Sequence, residues 1–139
     1  MKLPRVLVPV AALTALAACE TAAPPPAKTA AVTGSVTYRE RILLAPPARV
    51  TVTLSDVSLM DAPSKTIATQ TIDGVQSGPV NFRLDYDPAR IVPNHDYAVS
   101  ARFEVGGKLR FITDTRYSVI TRGAPTRVDM VAVAVTPSP

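Results

Sequence analysis

Apolar and polar residues alternate along most of this chain. In ARVTVTLS, residues 48–55, Val50, Val52 and Leu54 fall on one side of an extended backbone and Arg49, Thr51, Thr53 and Ser55 on the other. That period of two is the pattern of a strand with one buried face. VNFRLDYD, residues 80–87, repeats it, with Val80, Phe82, Leu84 and Tyr86 against Asn81, Arg83, Asp85 and Asp87. In YAVSARFEV, residues 97–105, the inward set is Tyr97, Val99, Ala101, Phe103 and Val105. Further strands are expected at about 32–38, 66–72, 109–120 with an interruption near Asp114, and 126–135. Prolines mark the breaks at 44–48, 61–65, 87–96 and 122–126. Six or seven short strands with no sustained helical period predict an all-β fold, a single antiparallel β-sandwich.

The turn in EVGGK, residues 104–108, is open to a parity test, because residues paired across two strands share a face. A two-residue loop at Gly106-Gly107 sets Phe103 opposite Arg110 and Glu104 opposite Leu109, which mixes the faces. A three-residue loop, Val105 to Gly107, pairs Phe103 with Leu109, Ala101 with Phe111 and Glu104 with Lys108. The three-residue version is therefore expected, with a glycine at the position of positive φ.

The first 18 residues break the alternation. Lys2 and Arg5 precede VLVPVAALTALA, residues 6–17, an apolar stretch of 12 residues. A bilayer-spanning helix needs about 20, so this stretch is expected to be a processing signal. The residues Leu16, Ala17, Ala18 and Cys19 that end it resemble the bacterial lipobox, in which small residues precede a cysteine acylated on sulfur before the signal is cut away. Cys19, the only cysteine, is then the first residue of the mature protein, with acyl groups on its sulfur and its amino group. This also explains why an exported chain carries a thiol with no disulfide partner. One acyl chain binds membranes marginally, whereas two or more anchor stably. Glu20 follows the cysteine, in place of the aspartate that marks inner-membrane retention in enteric-type bacteria, so the outer membrane of a Gram-negative cell, on its periplasmic side, is expected. ETAAPPPAKTAA, residues 20–31, is proline-rich without apolar periodicity, the composition of a semi-extended tether. The expected organisation is a signal peptide at 1–18, a lipidated N-terminus and flexible tether at 19–31, the β domain at 32–135 and a disordered tail at 136–139.

Composition sharpens this outline. A chain of 139 residues has room for one domain, and 47% hydrophobic with 19% charged residues suits a folded one. The formal charge is +4, but Lys2 and Arg5 belong to the signal. Without them the balance is 13 basic against 11 acidic residues, a net charge of +2. That is no footprint for a polyanion, and no nucleic-acid partner is expected.

Catalytic chemistry finds little to work with. His95 is the only histidine, placed in a Pro-Asn turn, so neither a histidine metal site nor a Ser-His-Asp arrangement with a nucleophile elbow is indicated. Asp85 and Asp87 share a face and offer a carboxylate pair, yet they lie on the solvent side of a strand end. No enzyme activity, no metal and no cofactor beyond the covalent lipid on Cys19 are expected. The best local candidate for a binding surface is YRER, residues 38–41, where Arg39 and Arg41 present guanidinium forks suited to carboxylate or phosphate groups. Arg102, Arg110, Lys108 and Glu104 are expected to share the outer face of the hairpin.

At VTGSVTYRERILLAPPARVTVTLSDVS, residues 32–58, the sequence resembles the YbaY family of bacterial lipoproteins, grouped with the YscW lipoprotein chaperones of type III secretion. PVNFRLDYDPARI at 79–91, YAVSARF at 97–103 and GGKLRFITDTRYSV at 106–119 extend the resemblance over nearly the whole folded part. The family is similar to immunoglobulin-like or transthyretin-like sandwiches. Its YscW-type members are pilotins, outer-membrane lipoproteins that bind a secretin subunit and help it reach and assemble in the outer membrane. The resemblance thus implies a non-catalytic envelope lipoprotein, anchored through lipid, that binds or chaperones another envelope protein. The alternative is a module that binds glycan or glycolipid, although the chain has no Trp for a sugar platform.

Overall fold

The structure is a computed structural model and describes residues 28–136. The segments expected as signal peptide and lipobox, with Cys19, most of the expected tether and the last three residues lie outside the described residues. Eight strands follow in order: β1 Ala30–Tyr38, β2 Ala48–Asp56, β3 Lys65–Asp73, β4 Val80–Tyr86, β5 Tyr97–Val105, β6 Lys108–Ile112, β7 Tyr117–Val119 and β8 Arg127–Ala134. The stretch expected as one interrupted strand at 109–120 is thus two strands. Thr113 makes the break: its N–H donates to the Ala101 carbonyl, and its hydroxyl oxygen accepts from the Ala101 N–H at 3.0 Å. The first strand begins at Ala30, inside the expected tether.

The all-β expectation holds, but the strands form one curled sheet where a two-layer sandwich was expected. Its order is β3-β2-β5-β6-β8-β1-β4, with β7 added to β5. β8 joins the two halves, pairing with β6 at Phe111↔Ala134 and Ile112↔Val133, and with β1 from Thr33↔Arg127 to Tyr38↔Ala132. The β1–β8 pair is parallel, a departure from the expected antiparallel arrangement. Alternation specifies which face is buried and leaves the partner strand open, so neither feature could be read from the pattern. The two ends of the sheet, β3 and β4, meet at a seam held by side chains. The Arg83 N–H donates to Gln70 Oε1 at 2.8 Å, and Arg90 Nη1 donates to the Ile67 carbonyl at 3.0 Å. The result is a nearly closed barrel, in which few main-chain edge groups remain open to another chain.

The inward residues of the alternation are the core. Val50, Val52, Leu54, Phe82, Leu84, Tyr97, Val99, Ala101 and Phe103 are all at most 4% exposed. With no cysteine in the folded part, stability rests on this burial, about 1.5–3 kcal/mol for each large apolar side chain. Gly34 marks the tightest point. A Cβ there would lie within the Val128 carbonyl of β8 and against the Phe82 ring, so only glycine lets β1 and β8 approach.

The hairpin register is a correction. Val105 faces Lys108 and Glu104 faces Leu109, a two-residue loop with Gly106 and Gly107 at φ of 58° and 79°. The parity conflict is removed by a bulge: Arg110 is the extra residue, and Phe103 then faces Phe111. Both inward faces are kept with the tighter turn, because a bulge shifts register by one.

The strand ends define two rims. At one, Ala30 enters beside Tyr86, near the connections 57–64, 87–96 and 120–126. At the other lie the connections 39–47 and 74–79 and the Gly106-Gly107 turn.

Candidate functional site

The expected binding residues Arg39 and Arg41 stand on the second rim, on an arch that spans residues 39–43. Both ends of the arch are fixed by the core. Tyr38 is buried at the end of β1, its ring stacked on Phe111 with centroids 4.6 Å apart and edge-on to Phe103 at 5.4 Å. Its hydroxyl donates to the Ile42 carbonyl at 2.8 Å, and burial pushes its pKa above the usual value. At the other end Leu44 is buried, and its N–H donates to the Gln76 carbonyl at 2.8 Å. The chain between them must bulge outward. Arg39, Glu40 and Arg41 are exposed, as are Ile42 and, at 78%, Leu43.

Cavities lie on both sides of the arch. One of about 480 Å³ is bounded by Glu40, Ile42, Lys108, Leu109, Arg110 and Phe111 with the end of β8. The other, of about 340 Å³, lies between residues 37–43 and Ser77-Gly78. Arg39, Arg41, Lys108 and Arg110 form no ion pair with any of the described residues. Exposed Ile42 and Leu43 thus sit among four uncompensated cations, with Glu40 the one acid on the arch. Such a surface suits a ligand that is part apolar and part anionic. Of the charges expected together on the hairpin, Arg102 and Glu104 pair with each other at 3.2 Å, while Lys108 and Arg110 line the larger cavity.

The first rim holds a polar network that the sequence pattern did not indicate. Asp56, at the end of β2, accepts hydrogen bonds from both the N–H and the hydroxyl of Ser58, and its second oxygen lies 2.6 Å from His95 Nδ1. Burial works to raise the Asp56 pKa, but these hydrogen bonds and the nearby imidazole outweigh it and hold the carboxyl at about 2. The Ser58 oxygen also accepts from the Asp96 N–H at 2.8 Å. Thr121 donates to the His95 carbonyl, Arg122 donates to the Asn94 carbonyl, and the Asp96 carboxylate lies 2.6 Å from Arg122 and 3.7 Å from Arg116. These contacts fasten the 87–96 and 120–126 connections together and hold Ile120 and Arg122 at positive φ.

Asp, His and Ser therefore stand close together without forming a catalytic relay. Serine and histidine both address the same carboxylate, so the imidazole lies on the far side of Asp56 from the serine hydroxyl and not between the two as a relay requires. Asp85 and Asp87 are likewise engaged locally. Asp85 pairs with Arg83 at 2.8 Å, and Asp87 caps the short 3-10 turn Pro88–Arg90 by accepting from the Ala89 N–H. His95 was expected as an isolated turn residue, and its partner Asp56 lies 39 positions away in sequence. Cys19, Leu16, Ala17 and Ala18 lie outside the described residues.

Comparison with known proteins gives this architecture a context. The chain is 45% identical over 106 residues to the lipoprotein YbaY of Escherichia coli (strain K12), covering 75% of this chain and 55% of that protein. The chain therefore spans about half the length of the curated relative it matches. Among solved structures it is similar to an alternative pilotin from the type II secretion system of Vibrio cholerae, with 52% sequence identity and a TM-score of 0.75. That match covers 79% of this chain and 100% of the other. Residues 27–131 match the model of the YscW family, the type III secretion system lipoprotein chaperones. The chain belongs to this YscW family of lipoproteins, which includes all eight strands' scaffold up to the middle of β8.

Proposed function

We propose that the protein is a pilotin-like lipoprotein of the outer membrane, anchored on the periplasmic side through acyl groups on Cys19, that binds a secretin-type envelope protein during its assembly. The observation that carries this reading is the 52% identity to a secretion-system pilotin over the whole of that chain. The family description names type III secretion and the solved relative type II. What the two have in common is the lipoprotein chaperone role, and the proposal rests on that.

The far rim is the docking surface in this account. An arch with two exposed apolar side chains, a ring of four cations and flanking cavities fits an amphipathic acidic segment of the partner. No catalytic step is assigned to the domain. Crosslinking in cells, followed by mass spectrometry of the captured lipoprotein, tests the reading. A reproducible outer-membrane secretin among the products is expected. Recovery of glycan or glycolipid with no recurring protein contradicts it and favours the glycan-binding alternative.

A further inference from the structure

The rim at which Ala30 enters carries its own apolar patch. Leu59 and Met60, at the tip of the 57–64 connection, are 68% and 97% exposed, and Val92 of the 87–96 connection is 41% exposed. Leu59 and Val92 border a cavity of about 240 Å³ with Pro63, Ile67 and the His95–Asp56 pair. Leu59, Met60 and Val92 together make an exposed apolar patch with a charged border, of the kind that marks a contact with a partner or a membrane.

We propose that this patch seats in the lipid surface, so that the domain stands on the membrane with its first rim down and its arch facing the periplasm. The inference rests on the reading that Cys19 carries the lipid. Between Cys19 and Ala30 lie 10 residues, Glu20 to Thr29, a length of chain that reaches at most about 35 Å. The anchored chain enters the barrel at the rim that displays Leu59 and Met60. Ala30 pairs with Tyr86, and Arg90, just beyond that strand, lines the same cavity as Leu59. The opposite rim is the length of β1 away, about 30 Å for nine extended residues. The anchor therefore holds Leu59 and Met60 within reach of lipid and carries Leu43 away from it.

Electrostatics fit this orientation. Asp56 is matched by His95, and Asp96 by Arg122 and Arg116, so the loops that meet the headgroups have these carboxylates already compensated. At the tip, Asp61 and Lys65 have opposite charges. Lys65 and Arg90, which line the cavity beside Leu59 and Val92, form no ion pair with any of the described residues and are placed to meet lipid phosphates, so contact joins the apolar tip to a cationic border. The four cations of the far rim lie the length of β1 away from where the chain enters, which leaves them to a partner in the aqueous phase.

The absence of tryptophan from the chain gives a direct test. Met60→Trp and Leu43→Trp each place a single indole at a highly exposed position, one on each rim. The chain from Cys19 onward is coupled through that thiol to a maleimide-headgroup lipid in vesicles of phosphatidylethanolamine and phosphatidylglycerol. This anchors residue 19 whether or not the cell acylates it. Acylation itself is read separately, from the mass of the Cys19 peptide isolated from cells, so that failure of the anchor reading and failure of this inference are distinguishable. The Met60→Trp emission is expected to shift to the blue and to be quenched by brominated acyl chains, with Leu43→Trp unchanged. Adding Leu59→Asp to Met60→Trp is expected to remove most of the quenching. Equal quenching at both positions, or none at residue 60, overturns the inference; in the second case the patch is left to a protein partner.

Discussion

The two rims of the barrel have similar apolar content and differ in how their connections are held. Leu59, Met60 and Val92 at the tether rim are matched by Ile42 and Leu43 at the far rim. Around the first set, histidine, arginine and carboxylate side chains are joined to one another and to backbone carbonyls across two connections. Around the second, four cations stand on an arch and a hairpin with no acid bonded to them among the described residues. A charge that has a partner inside the protein adds rigidity and little affinity for others, whereas an uncompensated one is available to a ligand. Exposure of apolar side chains alone would not have distinguished the rims; the network that ties the connections of the first, and the entry of the chain there, do.

The change that breaks the comparison most completely is one that removes both rims. Gly34→Ala forces a Cβ into the Val128 backbone, and the β1–β8 pair that joins the halves cannot form as it stands. A loss of about 3 kcal/mol or more is expected, read as a collapse of the denaturant midpoint. A variant with wild-type stability contradicts the placement of β1 against β8.

Asp56→Asn acts on the tether rim alone. It removes a partly buried carboxylate that accepts from Ser58 and pairs with His95, at an expected cost of about 2 kcal/mol. The same carboxylate gives a pH signature. Its folded-state pKa of about 2 lies below the ordinary 3.8, so folding favours the ionised form. The stabilisation is complete above about pH 4 and is lost as pH falls through about 2. Denaturant titrations of the wild type and Asp56→Asn are expected to differ most at neutral pH and to converge between pH 4 and pH 2. A difference that stays constant through that range contradicts the carboxylate's role.

Arg39→Glu combined with Arg41→Glu changes only the far rim. Both side chains are exposed and unpaired, so stability should move by no more than about 0.5 kcal/mol. Capture of the partner should be lost while the protein remains on the membrane. Unchanged capture by a folded double variant moves the docking surface elsewhere.

The strands were legible because one face of each is buried, which forces the period of two. The core residues named from alternation at 48–55, 80–87 and 97–105 are the ones that fill the barrel. Closure into one sheet was not legible, since it depends on which strands β8 reaches and on Gln70 and Arg90 bridging the seam. The hairpin register was missed because the parity test assumed an unbroken ladder, and Arg110 supplies the extra residue of a bulge. Arg39 and Arg41 were found through their chemistry. Lys108 and Arg110 joined them only through the fold, some 70 residues further along the chain. The Asp56–His95 network had no local signal, because each side chain on its own resembles an ordinary surface group at the end of a strand or in a turn.

The central claim is that the far rim meets a protein while the tether rim meets the membrane. It is tested most directly by placing a photoreactive residue at position 43 or position 60 of the full-length lipoprotein in cells and identifying the adducts. The account predicts a reproducible protein adduct, a secretin subunit, from position 43 and lipid adducts from position 60. The same protein captured from position 60, with none from position 43, would contradict it.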